Sequence, residues 1–201
     1  MKRHLLRSGL IIALLAAFAG GAFAIGLGDP MPMTDVQMKN VDGGMVSIGE
    51  VRDEAGTLVI FTCNSCPYAK AWEERIAELG NTYQAKGIGV IAINSNDPEV
   101  VAADGFDEMV ARAKTLGLEF PYVVDGTSDV ARAYGATKTP EVFLFDAEGR
   151  LAYHGAVDDN VKDPEAVEHT YLKDALEAVL KGGAVDEAET KALGCSIKFR
   201  S

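Results

Sequence analysis

Phe61-Thr62-Cys63-Asn64-Ser65-Cys66-Pro67-Tyr68 is the stretch on which the reading of this chain turns. It joins a continuously apolar run, Leu58-Val59-Ile60-Phe61, to a helical pattern that begins Ala69-Lys70-Ala71-Trp72. Two cysteines two residues apart at a strand-to-helix junction can close a small disulfide ring and reopen it. A helix N-terminus carries unpaired backbone N–H groups and the positive end of the helix dipole, both of which favour thiolate over thiol. The nucleophilic form is therefore expected at Cys63, with Cys66 one turn along. Pro67 suits a first helical turn, where its missing N–H costs nothing. A structural disulfide or half of a metal site is the competing reading. Zinc motifs of this spacing need a second Cys/His pair, and no such pair stands out.

Outward from that junction the elements alternate. Residues 57–62 read as a short strand buried on both faces, and the segment 67–86 places apolar residues at 69, 72, 76, 79 and 83 on one helical face. Ile88 to Asn94 is a second apolar strand. Phe106, Met109, Val110, Ala113 and Leu116 define a further helix stopping at Gly117. Tyr122-Val123-Val124 is a third strand, and Asp129 is placed as the cap of a brief helix reaching Tyr134. Residues 141–146 and 150–154 form a hairpin around Ala147-Glu148-Gly149, and a helix over 170–181 stops at Gly182-Gly183. Ahead of all this, residues 36–41 and 45–47 flank Asp42-Gly43-Gly44 as a small hairpin. This order predicts a mixed sheet with helices on both faces.

The N-terminus reads as a targeting segment. Lys2, Arg3, His4 and Arg7 precede an apolar run from Leu10 to Phe18, and Ala22-Phe23-Ala24 fits a small-x-small cleavage site, giving a signal peptide over residues 1–24. The uncharged length from Ser8 to Gly28 would also suit an uncleaved anchor. The chain beyond it belongs outside the cytoplasm, in a bacterial periplasm, where disulfides persist. Removing Lys2, Arg3 and Arg7 takes the formal charge of the 201-residue chain from −11 to −14. So acidic a surface argues against nucleic acid and anionic membrane as partners, leaving membrane contact only to an uncleaved N-terminus. At 48% hydrophobic residues the chain has no need of disulfide staples for a core. Of its three cysteines, Cys195 is left over near the C-terminus.

The expected divisions are an extended segment over 25–35, one domain over 36–183, and a C-terminal tail over 184–201 containing Cys195. With Cys-x-x-Cys after the first central strand and Thr139-Pro140 just before the hairpin, the order resembles the thioredoxin fold. It is an α/β fold of three layers, here with a mixed central sheet and an N-terminal hairpin extension. The insertion between residues 95 and 122 resembles the redoxin branch, the AhpC/TSA-type and TlpA-like exported proteins. So do three motifs: Thr62 to Tyr68, Tyr134-Gly135-Ala136-Thr137-Lys138-Thr139-Pro140, and Gly194-Cys195-Ser196-Ile197-Lys198.

The resemblance implies a thiol–disulfide oxidoreductase in which Cys63 attacks and Cys66 resolves, without metal or organic cofactor. It makes Pro140 a cis-proline beside the dithiol and has Thr139 present backbone to a partner chain. Protein dithiols or disulfides and a membrane or periplasmic redox partner are the implied partners. Departures are visible too. No acidic residue lies within Leu58 to Phe61, where thioredoxins bury one beneath the dithiol. Glu141 is the nearest candidate for that role, although a solvated carboxylate at a strand start is the favoured reading. Peroxiredoxins place threonine three residues and proline seven residues before their reactive cysteine, where this chain has Ile60 and Gly56. Thiol peroxidase chemistry at Cys63 is therefore an alternative, and a copper-binding chaperone using Cys63 and Cys66, with His154 as third ligand, is another. Cys195 is either a second resolving thiol attacking a mixed disulfide at Cys63 or an inert buried hydrophobe. His154 and His169 read as strand-end and cap residues, and Trp72 as core.

Overall fold

The computed structural model describes residues 24–201, so the expected signal peptide lies, apart from Ala24, outside the described residues. Among the described residues no helix is long and apolar enough to cross a membrane.

A central sheet is built from the strands that alternation and apolar runs marked. In chain order these are β1 (Met38–Asn40), β2 (Met45–Val46), β3 (Gly56–Phe61), β4 (Ile88–Asn94) and β5 (Tyr122–Val124). After a two-residue strand, β6 (Lys138–Thr139), come β7 (Glu141–Phe145) and β8 (Leu151–Gly155), and β9 (Cys195–Ser196) is the last. The sheet order is β2-β1-β5-β4-β3-β7-β8, with β6 and β9 forming a separate pair. Strands β3, β4 and β5 run parallel, and β1 and β7 add to them antiparallel. This is the mixed sheet expected, with the N-terminal hairpin at one edge.

The helices are α1 (Ile48–Val51), α2 (Pro67–Gln84), α3 (Phe106–Leu116), α4 (Asp129–Tyr134) and α5 (Tyr171–Leu180). Successive residues of a strand point to opposite faces, and both faces of β3 are apolar. Leu58 and Ile60 pack with Trp72, Ile76 and Tyr83 of α2, Met109 of α3, and Leu172 and Leu176 of α5. Val59 and Phe61 turn the other way, to Ile48 of α1 and to Val130 and Tyr134 of α4. Phe61, Tyr134 and Phe143 meet edge to face with ring centroids 5.3–5.6 Å apart, pairs each worth about 1 kcal/mol beyond burial. The three layers follow: α2, α3 and α5 on one side of the sheet, α1 and α4 on the other.

Local expectations are corrected in four places. Val110 is exposed, so the buried stripe of α3 is narrower than its apolar residues suggested. Ser128 rather than Asp129 is the N-cap of α4, and its hydroxyl is spent on the carbonyl oxygen of Ser95, 2.8 Å away. Helix α1, begun by a capping box between Ser47 and Glu50, was not anticipated. The fourth is an addition, the packing of the C-terminal tail over 184–201. Residues 188–190 run along β8, with His154 N–H donating to Ala188 and Thr190 N–H to His154, and so cover an otherwise open sheet edge.

Candidate active site at the Cys63/Cys66 pair

In a parallel sheet the loops at the carboxyl ends of adjacent strands meet, and here those of β3 and β4 converge. Thr62 N–H donates to Ile93 O at 2.9 Å, carrying the chain one step past β3 before it breaks into Cys63-Asn64-Ser65-Cys66. Cys66 is the N-cap of α2 and Pro67 follows at the first position. All three cysteines are free thiols. Cys63 and Cys66 are both buried.

The loop is held by a residue that no local pattern singles out. Asp104, in a single 3₁₀ turn over Ala102–Asp104, is buried beside it. One carboxylate oxygen accepts from the backbone N–H groups of Asn64 (2.8 Å) and Ser65 (2.9 Å). The other accepts from the Ser65 hydroxyl (2.8 Å) and the Asn96 amide (2.7 Å). Asn64 is fixed further by Ala103 O and by the Tyr122 hydroxyl. The buried acid that β3 lacks is thus supplied by the inserted segment after β4. The only sequence hint would have been an acidic residue within that insertion, and several are present.

Opposite the loop stands the bend before β7, where the Thr139-Pro140 bond is cis as the resemblance implied. The Thr139 hydroxyl lies 3.3 Å from Cys63 Sγ, and a protonated Cys66 donates to Thr139 O at 3.0 Å. Glu141 corrects the expectation of a solvated carboxylate, since it is buried. One of its oxygens accepts from Thr137 N–H (2.8 Å) and Lys138 N–H (2.9 Å), the other pairs with His154 Nε2 at 2.8 Å. Glu141 therefore anchors the strand that carries Thr139.

The C-terminal residues complete the site. Strand β9 pairs antiparallel with β6, setting Cys195 opposite Thr139. The backbone edge of Thr139, expected to receive a partner chain, is thereby filled by this chain itself. Cys195 N–H points at Cys66 Sγ, 3.4 Å away. Its side chain packs with Cys63, Cys66 and Ala69. Of the two thiols, Cys66 is the one that its backbone N–H meets.

The two thiols of the pair hydrogen-bond each other, so they ionise together. The first proton leaves far below the usual thiol range, drawn down by that shared bond, by the Cys195 thiol and by the N–H groups of Ala69 and Cys195. The second is held well above it, by the same bond, by burial and by the negative charge of Asp104 acting on Cys63. Helix α2 begins at Pro67 with Cys66 as its N-cap, so backbone N–H groups at this helix start reach both sulfurs, that of Cys66 reaching Cys63 and that of Ala69 reaching Cys66, and favour one negative charge on the pair. Cys195 is pushed up to about 11, first by its bond to Cys66 and then by burial.

His154, the third copper ligand in the chaperone alternative, is engaged elsewhere. His154 is bonded to Glu141 and stacked on Phe143, with ring centroids 4.3 Å apart. Among the described residues the one group of three metal-ligating side chains whose ligand atoms lie within 4.8 Å of one another is Asp159, Glu168 and His169, all exposed. Trp72 is core, as read, and its indole N–H donates to buried Asp158 at 2.7 Å.

A family model described as the AhpC/TSA family matches residues 27–154. A curated relative, a thiol-disulfide oxidoreductase ResA of Geobacillus thermodenitrificans, is 25% identical over 158 residues, which are 75% of this chain and 85% of that protein. An uncharacterised conserved protein of Geobacillus kaustophilus superposes with a TM-score of 0.80 at 36% identity, covering 87% of this chain and 93% of its own. A hypothetical protein of Sinorhizobium meliloti gives 0.82 at 34% identity, covering 89% and 97%.

Proposed function

The chain belongs to the AhpC/TSA family, and from that premise we propose that it is a thiol–disulfide oxidoreductase whose working dithiol is Cys63/Cys66. The observation that carries this reading is the pair itself. Two free thiols pack together at the start of α2, both bonded to Thr139, with the cis Thr139-Pro140 bend against them. Such a pair holds one thiolate ready at neutral pH while keeping a second proton in reserve. The relative named ResA is a thiol-disulfide oxidoreductase by its printed name, which supports the same chemistry.

The steps balance as follows. Cys63, the first cysteine of the motif, takes the attacking role that the family resemblance implies. The shared proton passes to Cys66, and the Cys63 thiolate attacks a partner disulfide, forming a mixed disulfide and releasing one partner sulfur as thiolate. Cys66 then gives up its proton and attacks Cys63 Sγ, closing the Cys63–Cys66 disulfide and releasing the second partner sulfur. Two electrons pass to the partner, and no metal or organic cofactor takes part. Run backwards, the same steps oxidise a partner dithiol.

The natural partner is a protein thiol or disulfide. The exposed ring of Tyr68, with Pro67, Ala71, Val161 and Lys162, lines a shallow hollow of about 430 Å³ along the first turn of α2, which follows Cys66 in the chain, and a partner chain can rest there. Export to the periplasm, with cleavage after Ala24, is part of the proposal and is supported by the basic-apolar-small pattern of the N-terminus.

Titration of the purified protein against glutathione buffers, with thiols trapped by alkylation and counted by mass, tests the reading. One reversible two-thiol step, abolished by Cys66→Ser, is expected. A pair that stays closed or silent across the whole range refutes it.

A further inference from the structure

We propose that Cys195 is a third redox-active thiol of this site, and that its exchange partner is Cys66: the Cys63–Cys66 disulfide is handed on to a Cys66–Cys195 disulfide, setting Cys63 free. The proposal rests on the redox reading of the pair given above.

Cys195 does not arrive at the site by chance of a loose end. Its segment is tied down on both sides. Gly194 lies so close to Thr139 that a Cβ there would be 2.2 Å from the Thr139 carbonyl oxygen, which only glycine tolerates. Ile197 N–H donates to Thr137 O at 2.9 Å, and the Ile197 side chain is buried in the core on the α4 side of the sheet. Beyond it Lys198 N–H donates to Asn96 Oδ1 at 2.7 Å, and Lys198 O accepts from Asp97 N–H at 2.7 Å. These bonds fix Cys195 over the N-terminus of α2 with its own N–H on Cys66 Sγ.

Cys195 meets Cys66 directly, its N–H on Cys66 Sγ at 3.4 Å, and its side chain packs into the cluster of Cys63, Cys66 and Ala69. Among the described residues the three sulfurs do not gather within 4.8 Å of one another, so the cluster lacks the compact shape of a three-thiolate metal site. Intramolecular exchange requires the attacking thiol to stand against one sulfur of the disulfide, and Cys66 is the sulfur that Cys195 stands against.

The step needs no outside oxidant. The Cys195 thiolate attacks Cys66 Sγ of the closed pair. The Cys66–Cys195 bond forms as the Cys63–Cys66 bond breaks, and Cys63 leaves as thiolate and takes the proton that Cys195 gave up. The molecule carries one disulfide before and after. Charge favours the step once the pair is oxidised. In the reduced protein the Cys66 charge opposes ionisation of Cys195, while Lys198 and Lys138 favour it. Closing the Cys63–Cys66 disulfide removes the first influence and leaves the second.

Peptide mapping decides the matter. The wild-type protein is oxidised with glutathione disulfide, quenched in acid, blocked with iodoacetamide and digested under acidic conditions. Two crosslinked peptides, Cys63–Cys66 and Cys66–Cys195, are expected. In Cys63→Ser the same treatment is expected to give an internal Cys66–Cys195 disulfide with loss of two titratable thiols, and Cys66→Ser is expected to form no internal disulfide. If the wild type yields the Cys63–Cys66 peptide alone and Cys63→Ser yields only a glutathione adduct, Cys195 is no relay and the two-cysteine reading stands. Absence of both crosslinked peptides from the wild type would instead overturn the oxidoreductase reading beneath it.

Discussion

Asp104→Asn is the substitution that separates the structural from the electrostatic work of the inserted segment. Both carboxylate oxygens are used, by four donors, from Asn64, Ser65 (twice) and Asn96. An amide keeps one acceptor oxygen and turns an NH₂ toward the other two donors. At least one charge-assisted bond is lost in a buried place, which costs roughly 2 kcal/mol, or about 4–8 °C in melting temperature for a chain of this size. The charge change has a separate readout. Asp104 raises Cys63, so its neutralisation lowers the thiol. For unit charges several ångströms apart across an effective dielectric of about 20, such an interaction is worth on the order of 1–3 kcal/mol, or about one pKa unit or more. The measurement is the rate of iodoacetamide alkylation against pH in a Cys66→Ser background. There the shared thiol bond is gone, and burial and Asp104 remain among the influences that raise Cys63. The midpoint at Cys63 is expected to fall by about one unit or more when Asp104→Asn is added. A midpoint that stays in place or rises, in a variant whose near-ultraviolet circular dichroism shows it folded, would falsify the claim that this carboxylate restrains Cys63.

Three further outcomes follow from the same geometry. Because the reduced pair keeps one proton and releases the other well below neutrality, reduction takes up one proton for two electrons. The glutathione midpoint should then fall by about 30 mV per pH unit between pH 6 and 8, and a slope near 60 mV would show that both thiols are protonated there. Glu141→Leu strips the acceptor from two backbone N–H groups and from His154, with an expected loss of about 2–4 kcal/mol in urea unfolding. A loss below about 1 kcal/mol would mean that the 137–139 strand holds itself. Gly194→Ala drives a methyl group into Thr139 O, so the β6–β9 pairing should open at a cost of about 1–3 kcal/mol. The Cys66–Cys195 crosslink should vanish with it, and an unchanged melting temperature together with an intact crosslink would contradict the tight approach.

What could be read from the sequence was whatever local pattern records. The apolar run before Cys63, the 3–4 spacing of Ala69, Trp72, Ile76 and Tyr83, and the glycine after Leu116 placed β3, α2 and α3 to within a residue or two. Strands of two residues leave no such record. β6 and β9 exist because residues 138–139 and 195–196 meet in space, and neither stretch has a period of its own. Asp104 was invisible for a related reason. A carboxylate that caps a loop forty residues away is chemically identical, in sequence, to the solvated Asp107 and Glu108 that follow it. Glu141 was misjudged because strand-start position says nothing of which way the side chain turns once β7 is covered by the 137–139 bend.

The motif by itself ties the dithiol to a helix N-terminus. In the fold Pro67 starts α2 with Cys66 as its N-cap, and Cys63 is reached by the Cys66 backbone N–H, by the Thr139 hydroxyl and by the field of Asp104. Four residues of the Cys-x-x-Cys segment are thus set by three distant pieces of chain. Residues 102–104 hold its middle, Thr139 faces both sulfurs, and Cys195 touches the second. Each piece acts on a different quantity: Asp104 on how hard the last proton is held, Thr139 on the geometry of the pair, Cys195 on where the charge and the disulfide can go next. The reactivity of this site is therefore a tertiary property, and substitutions outside the motif should move it as far as changes at Asn64 and Ser65.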